Sequence, residues 1–252
     1  MRPYILAETN WKSVKETAFT TAILPWSATE AHNYHLPYAT DTLECDHIAA
    51  EAARQAWEKG AKVIVLPTVP FGVQSGQLDI PLCLHINPST QAAILMDIAF
   101  TIQRHGIQKL VILNGHGGND FKTIIRELQP KLSLFLCGLN WYLAAPPKQY
   151  FTEPGDHAGE LETSMIMHIA PDLVLPLDQA GDGKESKFRI DALRKGIAWA
   201  PRQWTKISKD TGVGNPALAT AEKGKNFSDV TTAAIADFLV ELSGADLNDM
   251  YE

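Results

Sequence analysis

Four short segments of the chain concentrate side chains able to hold metal ions or move protons. The first, Glu30-Ala-His32-Asn-Tyr-His35-Leu-Pro-Tyr-Ala-Thr-Asp41, packs two carboxylates and two imidazoles into twelve residues. Carboxylate oxygen and imidazole nitrogen together suit Zn²⁺, Mn²⁺ or Fe²⁺, and an aspartate can bridge two such ions. The second, Asn114-Gly-His116-Gly-Gly-Asn119, carries three glycines that let the backbone turn tightly and approach a ligand. Backbone N–H groups of Gly117, Gly118 and Asn119, at the start of a helix, are candidates to steady an anion or a developing oxyanion. The third, Asp156-His157-Ala-Gly-Glu160-Leu-Glu162-Thr-Ser164, opens a helix. Acidic residues in a first turn answer the helix dipole, which explains Glu160 better than Glu162. His157 precedes the helix and is free to face a site. The fourth segment runs from Gly212 to Lys225 and reads as a turn followed by a helix.

Simpler readings stand beside these. Asp41, with Glu44 three residues on, has the form of a helix N-cap with its capping-box glutamate. His116 could face solvent from a tight turn. A phosphate loop at the second segment would lack its lysine.

The elements that must position these residues alternate. Thr20–Pro25, Lys62–Leu66, Lys109–Leu113 and Leu132–Leu136 read as strands, apolar throughout rather than alternating, as expected for a parallel sheet covered on both faces. Helices are expected at Thr42–Glu58, from Ser89 to about His105, over Asp120–Leu128 and Ala158–Ile169, and over Ala219–Leu242 with a break near Gly224–Asn226. The fold expected is one α/β domain over residues 1–252, a mostly parallel sheet flanked by helices. Thr68–Asn87 and Asp172–Asn215 are long loops, the expected walls of a site or of a subunit contact.

Composition excludes several classes. A net charge of −7 without a basic stripe argues against a nucleic-acid partner. No apolar run approaches the ~18 residues of a membrane span, and no secretory leader is visible at the start, so a cytoplasmic setting is expected. Cys45, Cys83 and Cys137 form neither a Cys-x-x-Cys pair nor a disulfide framework.

Taken together, the four segments resemble the creatininase (creatinine amidohydrolase) family. Its E-x-H-x-x-H-L-P-x-x-T-D, N-G-H-G-G-N, H-A-G-x-x-E-T-S and P-x-x-A-T-x-E-K-G patterns all occur here in order, within Pro25 to Gly224. The resemblance implies hydrolysis of an amide-type C–N bond, often in cyclic or formamide substrates, at a site holding two divalent metals. It also implies a homo-oligomer, often a hexamer, acting on a small molecule. By motif position Glu30, His32, Asp41 and His116 match family metal ligands, Asp41 matches the bridging carboxylate, and His157 matches a proton shuttle. Gly118 stands where creatininase itself carries an acidic ligand, and Glu162 is the expected replacement, as ligand and catalytic residue. Asn33, Tyr34 and Trp26 alter the surroundings of the first motif, so creatinine is not the expected substrate. A non-catalytic metal- or ligand-binding protein on the same fold is the alternative, and a phosphate-binding α/β protein a more distant one.

Overall fold

Strand β1 (Thr21–Trp26) lies at the centre of a four-stranded parallel sheet, between β2 (Val63–Val65) and β3 (Lys109–Asn114), with β4 (Phe135–Asn140) at the far edge. The computed structural model describes all residues from Met1 to Glu252. A short helix α1 (Trp11–Glu16) precedes the sheet, and α2 (Thr40–Glu58), α3 (Pro88–Arg104) and α4 (Phe121–Leu128) make the crossovers. A small antiparallel pair, β5 (Gly155–His157) with β6 (Val213–Gly214), sits outside the main sheet. It is accompanied by α5 (Glu160–Ile169), the single-turn helices α6 (Asp191–Arg194) and α7 (Trp204–Ile207), and the closing helix α8 (Ala221–Gly244).

The apolar strand runs do cover two faces. Ile23, Val63, Val65, Val111 and Leu113 pack with α2 and α8 residues such as Ile48, Ala52, Phe227 and Leu239. Ala22, Leu24, Ile64, Leu110 and Ile112 pack on the other face with Leu95, Ala99, Phe121 and Ile124. No helix is long and apolar enough to cross a membrane.

Most element boundaries shift by one or two residues from the sequence reading, and three differences have a clear physical cause. The edge strand is Phe135–Asn140 rather than Leu132–Leu136, because Gln129–Lys131 forms a 3-10 turn after α4 and Phe135 pairs with Lys109. An edge strand needs less apolar surface, so Gly138 and Asn140 are accepted in it. Helix α5 starts at Glu160, not Ala158, because Ala158 adopts a left-handed backbone (φ 51°) and Gly159 takes the N-cap. Helix α8 is unbroken through Gly224–Asn226. Its glycine is there for close approach: a Cβ on Gly224 would collide with the Ser164 carbonyl of α5.

The register explains the placement of chemistry. Trp26 pairs with Asn114, so the segments leaving β1 and β3 emerge side by side at the carboxyl edge of the sheet. The chain passes from β1 to β2 on one side and then back across to β3 on the other, which makes the β1–β3 crevice a topological switch point.

Gly224→Ala is expected to cost about 1–3 kcal/mol of folding free energy by overpacking, outweighing the about 1 kcal/mol of helix propensity that alanine adds. Urea unfolding reads this, and an unchanged midpoint would remove the packing argument.

Candidate metal centre

The crevice at the ends of β1 and β3 receives side chains from four places. Glu30 and His32 lie on the loop after β1, Asp41 in the first turn of α2, His116 after β3, and His157 and Glu162 at the β5–α5 junction. Glu30, His32 and Asp41 are each 1% exposed. Their donor atoms form three overlapping groups, each within 4.8 Å: Glu30, Asp41 and His116; His32, Asp41 and Glu162; and Glu30, His32 and His157.

Asp41 joins the first two. Its Oδ1 lies 2.9 Å from His32 Nε2 and its Oδ2 3.1 Å from His116 Nδ1. Glu30 Oε1 is 2.8 Å from the same His116 nitrogen, and Glu162 Oε2 is 3.9 Å from His32 Nε2. Neither His32 Nε2 nor Asp41 Oδ2 makes an aligned hydrogen bond, although both are fully buried. Lone pairs that converge without pairing fit divalent cations with Asp41 between them.

Each histidine is held by its other nitrogen. His32 Nδ1 donates to the Glu30 carbonyl (3.1 Å), His116 Nε2 to the Val73 carbonyl (3.1 Å) and His157 Nε2 to the Ala31 carbonyl (2.8 Å). Such backbone contacts fix the tautomer and turn the free nitrogen toward the metal position. His35, from the same sequence cluster, is not part of the group: its Nε2 pairs with Thr163 Oγ1 at 2.9 Å and ties the first motif to α5.

The capping reading of Asp41 is corrected. Ala39 occupies the N-cap of α2 with no side-chain bond, and the buried Asp41 faces the histidines. Glu44 is no capping-box residue either. It is fully buried, neither oxygen has a partner, and burial together with the Glu162 and Asp41 charges pushes its carboxyl well up.

The oxyanion candidates separate. Gly117 and Gly118 line the cavity beside His116, but Asn119 does not. The Asn119 N–H donates to the His116 carbonyl, and its side chain is used by Val73, Gln91 and Asn114. Gly118 admits no side chain, because a Cβ there would strike the Val73 carbonyl and the His116 ring. An acidic ligand is therefore sterically closed at this position, while Glu162 reaches the His32–Asp41 group from α5.

The cavity above the group measures about 670 Å³ and draws its walls from both long loops, including Gln74, Trp199 and Trp204, together with Tyr142 and Phe151. Trp204 packs edge-on against His157 with centroids 4.6 Å apart, and Arg202 lies 4.9 Å over the indole while paired to Asp156 and Glu185. Nothing local in the sequence marks Trp199, Trp204, Tyr142 or Arg202 as wall residues, because they reach the cavity only through the fold.

Charge in the metal-free site follows from this crowding. Burial opposes a charged His32, yet Asp41, Glu162 and Glu30 overcome it and push its pKa up to about 10. His116 is likewise raised by Glu30 and Asp41 against burial. Burial lifts Glu162 to about 7. His157, disfavoured as a cation by burial and by His32, falls to about 4.

The family profile for creatinine amidohydrolase matches residues 7–239. A solved structure from Bacteroides fragilis NCTC 9343, provisionally named a creatinine amidohydrolase, is 44% identical over 100% of both chains, with a TM-score of 0.94. The mycofactocin precursor peptide peptidase of Mycolicibacterium smegmatis is 26% identical over 81% of this chain and 77% of its own length. The creatinine amidohydrolase of Pseudomonas putida is 25% identical over 94% and 96%. Solved creatininases described as a Mn form and a Zn-Zn type share the fold at 22% and 23% identity, with TM-scores of 0.81 and 0.80 over 96% of this chain and 99% of theirs.

Raised histidines keep their protons through neutrality, and a metal must displace them. Uptake of Zn²⁺ or Mn²⁺ is expected to release about two protons at pH 8 and about three at pH 6, where Glu162 is also protonated, and to tighten by about two to three orders of magnitude per pH unit between those limits. Titration in weakly buffered indicator solution measures this; uptake indifferent to pH would exclude His32 and His116 as ligands. Glu162→Gln is expected to weaken metal uptake or lower its stoichiometry in a chelator competition, and unchanged stoichiometry and affinity would exclude Glu162.

Proposed function

The chain belongs to the creatininase family, and from that premise we propose that it is a metal-dependent hydrolase of an amide-type C–N bond. The observation that carries the proposal is Asp41: each of its oxygens faces a different buried imidazole, and each imidazole has a further carboxylate beside it. Held by Glu30, His32, Asp41, His116 and Glu162, two divalent ions would supply hydroxide at neutral pH and polarise the scissile carbonyl.

The protein's own groups do the rest. His157 keeps its Nε2–H on the Ala31 carbonyl, which leaves Nδ1 as the atom that can exchange a proton. The depressed pKa makes this imidazole neutral at pH 7, so it begins the cycle as a base. The proton it takes from the attacking water is then available at Nδ1 for the departing nitrogen. Trp204 covers one side of the His157 ring, and Arg202 anchors Trp204 through Asp156 and Glu185, which limits the ring's rotation. Gly117 presents bare backbone to the cavity beside His116 and is the candidate donor to a developing oxyanion.

A cavity of about 670 Å³ falls in the range of drug-sized ligands. That supports a substrate larger than creatinine: a formamide on a heterocyclic fragment, a substituted cyclic amide or a short peptide.

Elemental analysis of protein purified without chelators is expected to find about two transition metals per chain. None, with no uptake of added Zn²⁺ or Mn²⁺, overturns the proposal. His157→Ala is expected to retain its metal and to lose about 10²- to 10⁴-fold in turnover on an amide panel. Full activity removes the proton role, and loss of metal makes His157 a ligand instead.

A further inference from the structure

The Glu30 carboxylate divides its oxygens between two tasks. Oε1 lies 2.8 Å from His116 Nδ1 and 3.8 Å from His157 Nδ1. Oε2 accepts a short hydrogen bond from the Gln77 side-chain amide. Gln77 ends the 3-10 turn Ser75–Gln77, in the long loop that walls the cavity, and is 2% exposed. Its carbonyl Oε1 accepts from the Cys83 thiol at 3.1 Å, and the Cys83 sulfur accepts from the Ala31 N–H at 3.3 Å. The chain of contacts thus closes on the backbone residue between Glu30 and His32.

The directions in this loop are constrained. A side-chain amide has one donor end and one acceptor end. With the Ala31 N–H directed at the sulfur, the thiol proton is left for Gln77 Oε1, and the amide must turn its NH₂ toward Glu30. The flipped amide would set oxygen against oxygen in a buried space and leave the thiol proton without an acceptor, which is costly. Burial, reinforced by the Glu30 charge, raises Cys83 and keeps it a thiol, able to donate.

Resting on the metal site proposed above, we infer that Gln77 is the positioning residue of Glu30. By occupying Oε2 it confines Glu30 to one coordinating oxygen, and Cys83 holds Gln77 in the orientation that does so. The consequence is chemical. A carboxylate with both oxygens free can chelate a cation and fill the position that a catalytic site keeps open for water or substrate. Gln77 keeps that position open.

Co²⁺ is the probe, because its visible absorption weakens as coordination number rises. Wild-type, Gln77→Leu, Cys83→Ala and Cys83→Ser proteins are loaded to equal Co²⁺ stoichiometry, and their spectra are compared alongside kcat and KM on a hydrolysed amide. Gln77→Leu is expected to show weaker visible bands and a kcat lower by about 10- to 100-fold with little change in KM. Cys83→Ala is expected to shift the bands in the same direction by less, and Cys83→Ser, which keeps a donor and an acceptor, to stay with the wild type. Should Gln77→Leu fail to fold, the alanine–serine contrast at Cys83, which leaves Gln77 in place, decides the matter. Superimposable spectra for wild type, Gln77→Leu and Cys83→Ala overturn this inference alone. A wild-type protein that takes up no Co²⁺ overturns it together with the metal site.

Discussion

Too many carboxyl groups share one buried space. Glu30, Asp41 and Glu44 are at most 1% exposed, and Glu162 joins them from α5. Like charges a few ångströms apart in such a space repel by about several kcal/mol per pair, a sizeable share of a fold's whole stability. Protons answer part of this in the metal-free protein: His32 and His116 are raised, Glu162 sits near 7, and burial with the neighbouring charges pushes Glu44 well up. Divalent cations answer it better, because they replace two protons with localised charge at the point where the lone pairs converge. Local backbone strain is part of the same arrangement. Asn33 and Ala158, the residues directly after His32 and His157, both adopt positive φ (54° and 51°), a conformation non-glycine residues rarely take. It swings the chain away immediately beyond each imidazole. Asn33 is then held in place by Thr211 and Gly181 of the long loop Asp172–Asn215.

The sheet makes this convergence possible at low cost. Parallel pairing of β1 with β3 puts two loop exits side by side, and α2 starts close enough to β1 for Asp41 to reach between them. The positive end of the α2 dipole favours the Asp41 carboxylate there. Helix α5 brings Glu162 to the group, and its position depends on α8 through the Gly224–Ser164 contact and the partly buried Glu160–Lys223 ion pair. The fourth sequence segment therefore contributes no donor to the centre; it fixes the helix that does.

Most of the donor set was legible because metal binding demands specific residue types. Carboxylates and imidazoles are the side chains that divalent Zn, Mn and Fe sites draw on most, with cysteine the main other choice, so the clustered Glu30, His32, Asp41 and His116 stand out, and their motifs point to the family. The strand core was legible for a similar reason, since burial on both faces forces a continuous apolar run. Less was readable where several residue types can satisfy one physical need. Asp41 and Glu44 match a capping box as well as they match a buried acidic pair, and only burial separates the two. Gln77 and Cys83 support Glu30 through polar atoms that many side chains could offer, from a loop forty-seven residues away in sequence. The edge strand was misplaced because Leu132–Leu136 is more apolar than Phe135–Asn140, and only its pairing with β3 shows which segment belongs in the sheet.

A division of labour follows from where rigidity lies. The candidate donors stand on the buried segments leaving β1 and β3, at the end of β5 and in the first turns of α2 and α5, while much of the cavity wall comes from two long loops, Thr68–Asn87 and Asp172–Asn215. Loops tolerate change that a sheet does not, so substrate choice can drift while the donor geometry stays fixed. That separation has a limit in this chain. The wall loop at Gln77 also holds Glu30, and the one at Trp204 also holds His157. Residues that shape the cavity are thus mechanically joined to residues that perform chemistry, and a change of substrate made in these walls acts on the floor as well. Wall positions free of that coupling, such as the exposed Trp199, are the ones through which specificity can change while the reactive groups stay where they are.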